Sequence, residues 1–196
     1  MKLKQSCLLG LTLAAALALS AADALALEIG GQSVTDHAEV AGQNLQLDGA
    51  GMRKKIIFDV YVAALYSANK TTDANAVING TAPRRMELRM MRGVSASTMH
   101  ESFVEGLKAN VSEAQLAALK PKIGALEKIF NEVKAVEKGD LITMDFIPGQ
   151  GTKVSVRGKV YPLIAGDDFS AAMLSIWLGP KPVQDNLKAA LLGKPD

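Results

Sequence analysis

Arg53 is the residue whose type and position most readily suggest chemistry. It follows Gly49-Ala50-Gly51, where missing β-carbons let backbone or ligand come close, and it leads into an apolar strand. A guanidinium at the mouth of an apolar cleft can grip a carboxylate or an enolate-like oxygen through its two-pronged fork. An ordinary salt bridge at a strand start would use the same residue. Other chemistry finds little support. The chain has two histidines, His37 and His100, far apart in sequence and without a serine-and-carboxylate pattern or metal-ligand spacing. No glycine-rich phosphate loop with a lysine and no dinucleotide fingerprint is present, so no cofactor is expected. Asp167-Asp168 is a carboxylate pair that helix capping explains better than acid–base work. No catalytic residue is assigned from spacing.

Strands must position these side chains. Leu27 to Leu47 reads as short strands with a turn at Gly30-Gly31, and Gly49-Ala50-Gly51 breaks the last of them. Ile56 to Leu65 is rich in β-branched and aromatic residues and reads as a strand. Phe58, Val60, Val62 and Ala64 give it a purely apolar face, expected to meet a core. Ile57, Asp59, Tyr61 and Ala63 give it a mixed one. A short helix is expected around Ala74 to Ile78, then a strand over Arg84 to Met91. Helices follow, with N-caps among Ser95 to Thr98 and a capping box at Ser112 to Gln115. Pro121 should stop or kink the second of these, and a further apolar stripe from Ile123 closes near Gly139. Leu141 to Ile147 and Thr152 to Val156 form a hairpin across Pro148-Gly149-Gln150-Gly151, and a third strand covers Lys159 to Ile164. Two helices end the chain. Asp167 caps the first, Gly179 ends it, and Pro182 suits the first turn of the second. This order of strands, helices, strands and helices predicts an α+β fold with an antiparallel sheet.

The first twenty-six residues read as an address. Lys2 and Lys4 precede an apolar run from Leu8 to Leu19, and Ala24-Leu25-Ala26 fits signal-peptidase cleavage. The run is about a dozen residues, short of the roughly twenty that span a bilayer. Residues 1–26 are therefore expected to be cleaved, leaving 27–196 as one domain in the periplasm or secreted, with no stable membrane insertion. The one cysteine, Cys7, leaves with the leader, so no disulfide or thiolate chemistry is expected. The formal charge is +2, too weak to suggest nucleic acid. Arg84, Arg85, Arg89 and Arg92, with Lys54 and Lys55, are the basic clusters and read as a solvated sheet face.

The stretch from Gly166-Asp167-Asp168-Phe169 through Ser175-Ile176-Trp177-Leu178-Gly179-Pro180-Lys181-Pro182 holds the only tryptophan. Together with Gly49-Ala50-Gly51-Met52-Arg53-Lys54-Lys55 it resembles the bacterial chalcone-isomerase-like family. The likeness covers most of residues 27–196 and is best over Asp48 to Leu65 and Val154 to Gly193. It implies an open-faced sandwich, an antiparallel sheet covered by a layer of helices around an apolar ligand cleft. In plant chalcone isomerases an arginine after a glycine-rich turn polarises the substrate oxyanion, and Arg53 matches it. Tyr61, Ser95, Ser102 and Ile176 fall where those enzymes carry threonine, tyrosine, asparagine and a threonine or serine. Four of five positions thus depart from the catalytic set, and the hydrogen-bond array that cyclisation needs is not reproduced. The superfamily also contains non-catalytic relatives that bind a fatty acid, with an arginine and a tyrosine clamping its carboxylate. Arg53 and Tyr61 look like that pair, with Ser95, Ser102 and Ile176 lining the cleft. The resemblance implies a binder of a small apolar anion. An isomerase or intramolecular lyase of the chalcone-isomerase type, acting on an unknown substrate, is the alternative.

Overall fold

The computed structural model describes residues 26–194. The proposed leader, apart from Ala26, lies outside the described residues. The first strands are β1 (Leu27–Ile29), β2 (Gln32–Val34), β3 (His37–Val40), β4 (Gln43–Lys55) and β5 (Phe58–Ser67). Helix α1 (Ala74–Ile78) follows, then β6 (Arg84–Met90) and β7 (Val94–Ser95). Two long helices come next, α2 (Ala96–Asn110) and α3 (Glu113–Val133). After them run β8 (Ala135–Val136), β9 (Leu141–Ile147), β10 (Gly151–Val156), β11 (Lys159–Val160) and β12 (Ile164–Ala165). Helices α4 (Asp167–Leu178) and α5 (Asp185–Leu191) complete the order.

Eight strands make one antiparallel sheet in the order β11-β10-β9-β6-β5-β4-β3, with β12 also paired to β10. The helices cover one face, so the chain is the α+β open-faced sandwich that its element order and resemblance imply. The main core lies between helices and sheet. There Leu65, Met86, Leu88, Met144 and Phe146 meet Phe103, Phe130, Phe169 and Trp177. Phe103 sits edge-on to both Phe130 and Trp177, with ring centroids 5.5 and 5.8 Å apart. A smaller core on the opposite face joins Val62, Ala64 and Tyr66 to Val34, Val40 and Leu45.

The purely apolar face of β5 meets a core as expected, the smaller one, but the mixed face is buried as well. Its mixed face, with Tyr61 and Ala63, looks into the large helical core, while Val62 and Ala64 meet the small one. Tyr61 tolerates this burial because its hydroxyl accepts from the Trp177 indole N–H, while Asp59 stays exposed. The glycine stretch also differs from expectation. Gly49-Ala50-Gly51 does not break β4, which runs on to Lys55 with a bulge at Asp48. A β-carbon on Gly49 would stand 2.0 Å from the Ala190 carbonyl oxygen, and one on Gly51 would stand 2.8 Å from the Ala190 β-carbon. The glycines admit the backbone of α5, not a ligand.

Other boundaries shift for local reasons. Helix α3 does not stop at Pro121 but continues through it; the proline lies on the exposed side, where solvent can satisfy the freed carbonyl. It starts with the expected capping box, Ser112 with Gln115, and ends at Val133, well before Gly139, with Lys134 at φ 68°. The strand expected over Lys159 to Ile164 is split into β11 and β12 around Pro162. Gly166, not Asp167, is the N-cap of α4. The Asp167 carboxylate instead accepts from the Gly149 N–H at 3.0 Å and ties the β9–β10 turn to the helix. Pro182 lies ahead of α5, which begins at Asp185. The arginines of β6 are not solvated. Arg84 is buried on the helical side, and Arg85 and Arg89 sit half-buried among carboxylates on the other face.

Candidate ligand-binding cleft

Between the β4–β5 hairpin, α2 and the α4–α5 connection lies a cleft of about 770 Å³. Its size falls in the usual range for a small-molecule site, about 300–1,000 Å³. The inner wall is apolar, built from Val60, Met99, Phe103, Ile176 and Val183, with Gly106 letting α2 approach Ile176 closely. Lys55, Arg92, Glu105 and Lys181 stand around the mouth. A bulge in β5 helps to form the wall. The register steps from Arg53 opposite Tyr61 to Lys54 opposite Asp59, so Val60 is the extra residue. Such a bulge twists a strand and re-aims its side chains, and here Val60 lines the same space as Tyr61.

Arg53, Tyr61, Ser95, Ser102 and Ile176 all line this one cleft, though the sequence scatters them from strand to last helical layer. Their chemical states differ. Tyr61 is buried, and its hydroxyl oxygen accepts a hydrogen bond from the Trp177 indole N–H at 3.0 Å. An oxygen that accepts still carries its own proton to donate. Burial raises the phenol above its ordinary pKa, opposed by the Trp177 bond and by the nearby Arg53 charge, so it stays a neutral donor at physiological pH.

Arg53 faces Tyr61 across the strand pair. Its Nη1 donates to the Gln184 side-chain oxygen at 3.1 Å and to the Lys54 carbonyl. The same Gln184 oxygen accepts from the Lys54 N–H at 2.9 Å, and its amide nitrogen donates to the Met52 carbonyl at 3.2 Å. Gln184 therefore stitches the chain ahead of α5 to the strand that carries Arg53. Both acceptors on Arg53 are neutral, and no carboxylate lies within ion-pairing distance of it among the described residues. The guanidinium is held in place without having its charge cancelled.

The two serines are otherwise engaged. Ser95 is the N-cap of α2, accepting from the Thr98 N–H at 3.2 Å, and its hydroxyl also bonds Thr98 Oγ1 at 2.9 Å. Ser102 donates to the Thr98 carbonyl at 2.8 Å. Both shape the rim, and neither brings a free donor to it. Ile176 is fully apolar floor. Sequence reasoning missed Trp177 and Gln184 as parts of the site. A lone buried tryptophan requires an acceptor for its N–H, which was a usable signal. Gln184 lies far from Arg53 along the chain and offered none.

An antiparallel sheet under a helical layer, with an apolar cleft and a cation at its mouth, defines the class. The family model described as chalcone isomerase-like matches residues 26–193, and the chain belongs to that family. Among solved structures it resembles the Arabidopsis thaliana fatty-acid binding protein AtFAP1, with a TM-score of 0.69 and 15% sequence identity. That match covers 83% of this chain and 92% of the other. No curated protein sequence matches significantly.

Proposed function

We propose that this protein is an exported binding module for a small apolar anion such as a fatty acid, with Arg53 and Tyr61 receiving the carboxylate and the apolar wall taking the tail. One observation carries the reading. At the cleft, a phenol with an undonated proton stands opposite a guanidinium that only neutral groups hold. A carboxylate satisfies both, and charge-assisted bonds of this kind are the strong ones. Each buried methylene of a tail adds about 0.8 kcal/mol. The family membership and the likeness to a fatty-acid binding protein support the same reading. The periplasmic or secreted location rests on the basic start, apolar run and Ala24-Leu25-Ala26 of the leader. No helix among the described residues is long and apolar enough to cross a membrane.

The test is titration of delipidated protein with a long-chain fatty acid, comparing the parent with Arg53→Ala. Saturable binding that weakens in the variant is expected. Equal binding by both, or by neither, rejects the reading. The alternative of an isomerase or intramolecular lyase is favoured by Arg53 alone, since the serines are engaged and Ile176 is apolar. Turnover of a chalcone or another α,β-unsaturated ketone above a buffer blank, lost in Arg53→Ala, would put catalysis in place of carriage.

A further inference from the structure

The tip of the β4–β5 hairpin exposes apolar surface that packing does not require. Ile56 is 89% exposed, Ile57 81% and Phe58 52%. Lys55 pairs with Phe58, so the turn between them holds only the two isoleucines. Ile56 has φ 59°, where glycine or asparagine is the usual occupant of so short a turn. A β-branched residue at this φ is strained as well as solvated, and either usual occupant would relieve both conditions. Cations collar the tip. Lys54 and Lys55 end β4, and the Arg92 guanidinium lies 4.8 Å over the Phe58 ring. Among the described residues, the carboxylate paired within this group is Asp59, 3.4 Å from Lys54 Nζ, which leaves the collar positive. Lys55, Ile56, Phe58 and Arg92 also line the cleft, so the tip stands at its mouth.

We propose that this hairpin tip enters the headgroup layer of an anionic lipid bilayer and sets the mouth of the cleft against the membrane. Charge and polarity select that occupant. An apolar point inside a cationic collar matches a surface that is anionic outside and apolar beneath. A second copy docking tip to tip would bring like charges together. The docking itself depends on the hairpin alone. Its use, passing an apolar anion between lipid and cleft without crossing water, rests on the proposed function.

Flotation with vesicles tests it, using phosphatidylcholine with and without phosphatidylglycerol. The protein should float with the anionic vesicles, and added salt should weaken the association. Ile57→Ser should lower the affinity about tenfold, and Lys54→Gln about fivefold. Ile57 does not line the cleft, so fatty-acid affinity in solution should stay at the parent value in Ile57→Ser. No flotation of the parent protein, or equal flotation by Ile57→Ser, overturns the inference. A concentration-dependent dimer that Ile57→Ser abolishes, in the absence of vesicle binding, also overturns it in favour of self-association. Intact ligand binding without flotation removes only the docking surface. Flotation without ligand binding removes only the proposed cargo.

Discussion

On the outer face of the sheet, Arg85 and Arg89 each meet a carboxylate. Arg85 holds Asp145 through two bonds, Nε at 2.6 Å and Nη2 at 3.0 Å, and Arg89 donates to Glu87 at 3.0 Å. Lys153 adds a second cation 3.4 Å from Asp145. On the helix-covered side, Arg53 meets an amide oxygen and a backbone carbonyl. Both environments fix a guanidinium in space, but only the first neutralises it. Burial of the outer network makes it part of the architecture: Asp145 and Glu87 are scarcely exposed, and a buried ion is tolerable only when paired. The cleft arginine keeps its charge, with no carboxylate in ion-pairing distance among the described residues.

Removing one cation from each side should separate the two roles. Arg85→Leu removes both short bonds to the buried Asp145 and leaves it Lys153 alone, at 3.4 Å. It should lower stability by about 3 kcal/mol, read as a urea midpoint, while fatty-acid affinity of the folded protein stays unchanged. Arg53→Ala should do the reverse. Affinity should fall by about ten- to a hundredfold in the titration, with stability within about 1 kcal/mol of the parent. A large stability loss in Arg53→Ala with unaltered affinity would erase the contrast.

Asp48 sharpens the comparison from the acidic side. It is buried at the β4 bulge, one oxygen accepts from Ser67 at 2.9 Å, and the other has no partner among the described residues. Burial is the leading cause that raises its pKa from 3.8 to about 6, against the lowering effects of Ser67 and Lys70. The folded state therefore holds more protons than the unfolded state between those values, and stability falls as pH rises through that window. Asp48→Asn should be more stable than the parent by on the order of 2 kcal/mol at pH 7, with the gain fading to nothing below about pH 4. An equal gain at both pH values would show that charge is not the cause. The smallest effect belongs to Tyr61→Phe. It should cost about 1–2 kcal/mol of stability by stranding the Trp177 N–H, and weaken fatty-acid binding several-fold by removing one donor.

Much of this arrangement was legible in the chain. Alternating residues gave the β9–β10 hairpin, Ala74 to Ile78 gave α1, and Ser112 with Gln115 gave the start of α3, because each is a local rule obeyed locally. The readings that failed depended on distant neighbours. Gly49 and Gly51 look like a break until Ala190 is seen lying on them. Pro121 looks like a stop until its exposed side is known. The apolar face of β5 was legible, but the burial of Tyr61 on the mixed face was not, because it depends on the distant Trp177 N–H that its hydroxyl receives. At the cleft, residues carried over from the family converge on one space. The two contacts that set their chemistry, Trp177 to Tyr61 and Gln184 to Arg53, join residues more than a hundred positions apart.

The seating of α5 on two bare glycines, with Gln184 just ahead of it, has a consequence for timing. The Arg53 guanidinium gains its amide brace, and β4 the helix that lies on it, only once residues 184–191 have folded back onto a strand laid down more than a hundred positions earlier.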